Sequence, residues 1–498
     1  MWGISFGLPE LFHPDEPAYV LQALAVGRGL PDGLTFANPP LFKYLLLAEY
    51  AMTFIVERVS GGTHSPAEFV AQFRADPALL YLIARLTSAV LGALTALATA
   101  ALAASVAGRR AGLLAGALAA VAYLLVRDAH FGVDDTLVTL LVTLGVVASV
   151  QVYRVGRRRD YLAAGVLAGL AFSAKYDGLA LLAPLAVAHF ASSRKGRSAR
   201  DLAIALAACG VAAVLAFPSL VTESGRVLDD IYLHLYLETT GGYDGLDPSG
   251  GYAFYARTLL IGLGWPLVVA AVAGVTVSIM RRNLAGVVVA SLPLSMLAVL
   301  GSQQLYFARF ALPALPALIV LASLALDSLI TRQAVIGWAA VALVASPTLA
   351  DAVRFDALMT QTDTRTLARQ WLETSLPADA TFAADAPPLG PGVPDARAML
   401  AVDDALFELS SADYRTRGVD FLIVSSFVSE ARAVDPAREV RREAFNAELG
   451  SQATLVAQFR PYAGDAAPVF VYDQVYGPYT DLDRLERPGP TISVYRLT

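Results

Sequence analysis

Residues 109–149 read "RRAGLLAGALAAVAYLLVRDAHFGVDDTLVTLLVTLGVVAS": two apolar runs, at about 111–126 and 134–153, on either side of the polar stretch "RDAHFGVDD" at 127–135. Each run approaches the ~20 residues a helix needs to cross ~30 Å of hydrocarbon. The arginines before the first run and the acids between the two then mark opposite ends of a helical hairpin. Composition agrees, with 56% hydrophobic and only 16% charged residues among 498 and a mean hydropathy of +0.55. The chain reads as a polytopic α-helical membrane protein.

Further apolar runs at about 79–106, 161–174, 178–192, 201–221, 257–280, 284–302, 308–327 and 334–350 bring the candidate spans to ten. Several are short and rich in Ala and Gly, which predicts close packing within a bundle rather than lipid on all sides. The basic loops "GRR" at 108–110, "YRVGRRRD" at 153–160, "SSRKGRSAR" at 192–200, "RRN" at 281–283 and "TRQ" at 331–333 fall on alternate connections. By the positive-inside rule these are cytoplasmic. The loops at 127–135, 174–178, 222–256 and 302–309 then lie outside, with both chain ends. Residues 16–30 and 39–58 read as helices on the outer membrane surface, the second with a true span as its alternative. Met1–Glu10 has no signal-peptide pattern, so an external N-terminus predicts an upstream signal-anchor helix beyond this sequence.

From about Asp351 polarity and proline content rise, which divides the chain into a membrane-embedded domain at 1–350 and an external soluble α/β domain at 351–498. "DTRTLARQWLETSL" reads as an amphipathic helix capped by Thr362 or Asp363, "VDFLIVSS" as a buried strand and "TISVYRL" as a closing strand. A net charge of -6 without a basic block argues against nucleic acid as a partner. The single cysteine, Cys209, lies in an apolar run and reads as an inert buried thiol.

The most polar cluster comes first: "FHPDEPAYV" at 12–20. Asp15 and Glu16 stand where a helix begins, with Pro17 suited to its first turn, so one acid is accounted for by the helix N-terminus. Two acids after His13, beside a low-dielectric surface, also suit a general base that takes a proton from a hydroxyl.

"HPDEPAYVLQALAVGRG" resembles the first external loop of the GT-C class of glycosyltransferases, the protein O-mannosyltransferases and lipid A aminoarabinose transferases. "NPPLFKYLLLAEY" is similar to their second surface helix, residues 109–149 to their third and fourth spans, and "YLAAGVLAGLAFSAKYDGLALLAPL" and "FARFALPALPALIVLAS" to later segments, so the resemblance covers most of 10–330. It implies a GT-C fold that transfers a sugar, with inversion, from a polyprenyl-phosphate donor to a hydroxyl of a protein, lipid or envelope glycan outside the plasma membrane. Asp15 would be the base and Glu16 would orient or share that role. The leaving phosphate needs cations, and Lys43, Lys175 and Arg309 fall on the outer side; the lysines also fit snorkelling interfacial roles. With Lys195 they are the only lysines in the chain.

His13, Tyr19, His130, Asp134 and Asp135 are assigned to the sugar or acceptor. Glu16, Asp134 and Asp135 are alternatively ligands for Mg²⁺ or Mn²⁺. The aminoarabinose transferases have lysine directly before Pro-Pro, where this chain has Asn38; Lys43 matches the mannosyltransferase pattern, which leaves the subfamily and the sugar open. The 222–256 loop, with His234, Glu238, Asp244 and Asp247 among five tyrosines, reads as a carbohydrate site or a solvated loop. A transporter would fit about ten spans too. It would place polar residues near the midplane rather than at one face, and gives no reason for an α/β domain.

Overall fold

The computed structural model describes residues 2–27, 35–192, 198–247, 249–377, 379–393, 398–401, 405–464 and 467–497. The end of the helix expected at 16–30, and Lys195 with most of its basic loop, lie outside the described residues. The chain forms two compact units: Met1–Pro17 with Thr240–Ser249 and Arg354–Thr498, and Ala18–Thr239 with Gly250–Val353.

In the helical unit and the helix that leaves it, five helices among the described residues are long and apolar enough to span a membrane: Ala78–Ala107, Asp135–Arg154, Ala199–Ala216, Ala308–Arg332 and Ala334–Leu358. The remaining expected spans are shorter or broken. The run at 257–280 is no straight span: Gly251–Leu263 and Trp265–Met280 meet at 107°. Gly264 takes a positive φ of 78° at the bend, and Pro266 opens the next helix without an N–H to donate. The run at 111–126 breaks at Ala122, where the Tyr123 N–H leaves the helical ladder and donates to Thr348 Oγ1 at 2.7 Å.

Small residues bring helices together as the composition predicts. A Cβ on Gly165 or Gly169 would collide with the carbonyls of Ala205 and Cys209, and one on Gly274 with that of Leu321. Cys209 itself is half-buried rather than enclosed, because only 17% of its helix span is covered by protein. The 222–256 segment is not a loop throughout: Ser224–Tyr236 is a helix that runs into one π turn, Leu237–Gly241. Val227 and Ile231, one turn apart, pack on Phe36 and Phe217, and this burial is what fixes the helix.

The other unit is built on a five-stranded sheet of β1 (Phe382–Asp385), β2 (Ala398–Ala401), β3 (Phe421–Ser425), β4 (Ala453–Phe459) and β5 (Ile492–Leu497), in the order β2-β1-β3-β5-β4. β1 runs parallel to β2 and β3; β5 is antiparallel to β3 and β4. One face gathers Phe382, Ala384, Phe421, Ile423, Ile492 and Val494 against Ala368 and Leu372 of the helix Thr364–Ser375. The other gathers Ala383, Leu422 and Val424 against Phe445 and Leu449 of Pro436–Gln452. Cover on both faces explains why "FLIV" is apolar without alternation. Asp363 caps its helix as expected, accepting the Arg365 N–H at 2.8 Å.

The N-terminal segment folds onto this unit. Glu10 accepts from the Thr366 hydroxyl at 2.6 Å and pairs with Arg369. The Arg365 guanidinium, paired with Asp363 at 2.7 Å, lies 4.0 Å from the centre of the Phe12 ring. Phe12 and the residues after it are held by these contacts.

Candidate active site

After Phe12 the backbone positions "HPDE" tightly. His13 is buried, its ring 5.6 Å from that of Tyr476, and its Nδ1 accepts the Asp15 N–H at 3.3 Å. Asp15 stays half-buried outside any helix, whereas Glu16 is wholly buried and opens the helix Glu16–Gly27. The two acids thus differ in kind. Glu16 lies in the first turn of that helix, and Asp15 immediately precedes it at the N-cap position as the more exposed of the two.

In the helical unit a second cluster forms at the start of Asp135–Arg154. Asp134 stands before that helix, fully buried, and neither of its carboxyl oxygens has a hydrogen-bond partner among the described residues. The Tyr19 hydroxyl is close enough to favour its ionised form without a well-formed bond. Lys175, just past Arg158–Ala174, donates to Asp135 at 2.6 Å and sits 4.5 Å from the centre of the Phe310 ring. Arg309 lies over Phe307 at 4.6 Å and Phe310 at 5.6 Å. Lys43, 2% exposed, donates to the carbonyls of Thr35 and Asn38, both at 2.9 Å. Tyr19 meets Phe42 edge-on at 5.6 Å, and His130 is buried with Nδ1 2.8 Å from the Val126 carbonyl.

Burial governs the charges here. It pushes the Asp134 carboxyl up to about 7, with Lys175 pulling against it. It lowers Lys43 to about 8 against the pull of Asp134 and Asp230. Burial also works against the Lys175 ammonium, but Asp135, Asp134 and Asp177 together outweigh it and hold that group above its ordinary range. An acid moved up and an amine moved down leave the cluster able to exchange or receive charge near neutral pH.

Of the sequence-derived residues, Tyr19, Lys43, His130, Asp134, Asp135, Lys175 and Arg309 belong to the helical unit; His13, Asp15 and Glu16 belong to the other. Among the described residues no three His, Cys, Asp or Glu side chains gather to hold a metal ion, and Asp135 is engaged with Lys175 instead. Sequence reading passed over Asp177, which neighbours Lys175, Glu238 and His234. Its signal was its place two residues after the lysine in "AKYDG". It also passed over the buried pair Arg127–Asp128, 3.3 Å apart, whose signal was two opposite charges at the edge of an apolar run. The 222–256 segment divides: His234 and Glu238 pair at 3.0 Å in the helical unit, whereas Asp244 pairs with Arg438 at 2.6 Å in the other.

Residues 81–221, which include His130, Asp134, Asp135 and Lys175, match the family model described as dolichyl-phosphate-mannose-protein mannosyltransferase. Among solved structures, ArnT from Cupriavidus metallidurans in the apo state is similar over 92% of this chain and 94% of its own, at 14% identity and a TM-score of 0.54. The same protein bound to undecaprenyl phosphate gives 16% identity and a TM-score of 0.53 over the same shares. The oligosaccharyltransferase AglB from Archaeoglobus fulgidus, in complex with an inhibitory peptide and a dolichol-phosphate, matches over 90% of this chain and 69% of its own, at 14% identity and a TM-score of 0.50. No curated protein matches by sequence. The fold is that of a multi-pass membrane protein of the ArnT kind with a small sheet-bearing C-terminal region. The ArnT-like fold and the family-model match over residues 81–221 together support a member of the GT-C glycosyltransferase superfamily.

Proposed function

We propose that the chain is an inverting glycosyltransferase that moves a sugar from a polyprenyl phosphate to a hydroxyl of a protein, lipid or envelope glycan at the outer face of the plasma membrane. The observation that carries this reading is the buried cluster of Asp134, Asp135 and Lys175, held in the stretch that matches the mannosyltransferase model. A phosphate leaving group needs cations where water is excluded. ArnT has been solved with undecaprenyl phosphate and AglB with dolichol-phosphate, which supports the class of carrier.

In this reading Asp15 takes the proton of the acceptor hydroxyl as its oxygen attacks the anomeric carbon from the face opposite the phosphate. The carbon–oxygen bond to phosphate breaks, and the phosphate monoester departs with the electron pair. Lys175, Lys43 and Arg309 receive its charge; Glu16 orients the base. His13, Tyr19, His130, Asp134 and Asp135 hold sugar or acceptor hydroxyls. Turnover that falls on EDTA treatment and returns with Mg²⁺ or Mn²⁺ would assign the acids a metal instead.

Membranes supplied with polyprenyl-phosphate sugars should release polyprenyl phosphate, and Asp15→Asn should slow release by about 10²–10⁴-fold with melting behaviour unchanged. Turnover like wild type in that variant removes Asp15 from the mechanism. Absence of release from the wild-type chain with every such donor sinks the transferase reading itself.

A further inference from the structure

The sheet-bearing unit contains a cleft of about 560 Å³, lined by residues of that unit alone. Its position is set by topology. The chain passes from β1 to β2 on one side of β1 and returns to β3 on the other, so the strand order reverses between β1 and β3. Open α/β sheets receive ligands at the carboxyl ends of the strands beside such a reversal. The cleft lies there: Asp385 ends β1, and Phe427 and Val428 lie in the short helix Ser426–Ser429 that follows β3. Its volume is within the ~300–1,000 Å³ of small-molecule sites.

The lining argues against an anion. The loop after β1 begins Ala386-Pro387-Pro388, and two prolines remove the N–H groups with which a loop would cradle phosphate. The helix after β3, Ser426–Ser429, has four residues and its start is already capped by Ser425. Arg438 is the cation of the lining, and it pairs with Asp244 and Glu408 at 2.6 Å each. With Arg438 so engaged, the lining has little positive charge left to offer an anion.

The same lining suits an uncharged polyhydroxylated ligand. Phe407, Phe427, Tyr243 and Tyr472 offer aromatic surface, and Tyr243 meets Tyr472 edge-on at 5.3 Å. Asp244 and Arg438 offer acceptors and donors beside it. A sugar ring has this division, an apolar C–H face and a rim of hydroxyls. We propose that this cleft binds a neutral oligosaccharide and holds a glycan acceptor for the transferase. The second half of that statement rests on the proposed function; the binding does not.

The test uses the full chain in nanodiscs and saturation-transfer NMR with three probes, manno-, malto- and cellotriose, and with ADP as the anionic control. At least one trisaccharide should bind, ADP should not compete, and Val434→Trp should weaken that binding by roughly tenfold or more. Val434 lines the cleft and is 40% exposed, so a larger side chain there fills the cleft without removing core. Ala431→Phe, also in the lining, is the second variant should Val434→Trp fail to express. Binding of no trisaccharide, equal binding by the blocked variants, or displacement by ADP overturns the site. Where glycan transfer is measurable, the blocked variants should raise the acceptor KM by a similar factor with kcat kept. Unchanged KM in both overturns the acceptor role, while loss of donor turnover in the wild-type chain would count against the transferase reading and leave trisaccharide binding to stand or fall alone.

Discussion

Asp134 in the helical unit and Asp385 in the sheet-bearing unit are both buried carboxyls pushed up to about 7 by loss of water, and their surroundings are opposite. Asp385 accepts the Ser425 N–H at 2.8 Å and the Leu406 N–H at 3.5 Å, so its oxygens tie β1 to β3 and to the start of the short turn Leu406–Glu408. Asp134 has no hydrogen-bond partner among the described residues and two lysines in its field. A shifted acidity therefore does not mark a reactive group by itself; the account of where each oxygen's hydrogen bonds go separates the two. Asp385 is bonded as a structural acid is. Asp134 keeps acceptor capacity of the kind that a hydroxyl donor fills.

The largest expected effect breaks or keeps that contrast directly. Asp134→Asn should cut release of polyprenyl phosphate by about 10²–10³-fold, whereas Asp385→Asn, at saturating acceptor, should leave it within about twofold. Equal losses in the two variants would mean that burial, not bonding, was the property that mattered. Next in size is the cation beside Asp134. Lys175→Met leaves Asp135 buried without its partner, which should cost about 3 kcal/mol of stability. Asp135→Asn in the same chain should recover most of that in a thermal melt. Failure of the double variant to recover would show that Lys175 stabilises through its contact with Phe310 instead.

The contrast was only half legible in the sequence. "VDD" advertised Asp134 because two acids at the end of an apolar run are costly there unless they serve something. Asp385 sits in "FAAD", where nothing local signals that its oxygens will be met by backbone N–H groups 21 and 40 residues away. Apolar length gave the long helices, and the unbroken apolar run gave β3, because both are local patterns. The bend at Gly264 had its punctuation in Gly-Trp-Pro, but hydropathy averaged over a window hides it. The packing of residues 2–17 and 240–247 with the C-terminal helices rests on pairs such as Glu10–Arg369 and Asp244–Arg438, and no periodicity encodes partners that far apart.

The smaller effects sharpen the structural side. The folded carboxyl of Asp385 is near 7 against an ordinary 3.8, so it favours the folded state below about pH 4 and loses that advantage as pH rises to about 7. The full shift would be worth about 4 kcal/mol; water reaching the adjoining cleft should leave about 2 kcal/mol. With Trp2, Trp265 and Trp338 replaced by Phe, Trp371, which packs against the sheet core, reports this unit's melting. Its midpoint should fall between pH 4 and pH 7 in the wild type and stay level in Asp385→Asn.

Ser425→Ala provides the finest division. The Ser425 hydroxyl donates to the Leu389 carbonyl at 2.6 Å and accepts the Phe427 N–H at 3.3 Å, while it is the backbone N–H of Ser425 that reaches Asp385. Removing the hydroxyl should therefore cost about 1 kcal/mol at every pH and leave the slope between pH 4 and pH 7 as steep as before. If the slope disappears with the hydroxyl, the Asp385 carboxyl is set by a side-chain network rather than by the strand backbone. The contrast with Asp134 would then be one of degree, since both acids would depend on groups that a ligand could displace.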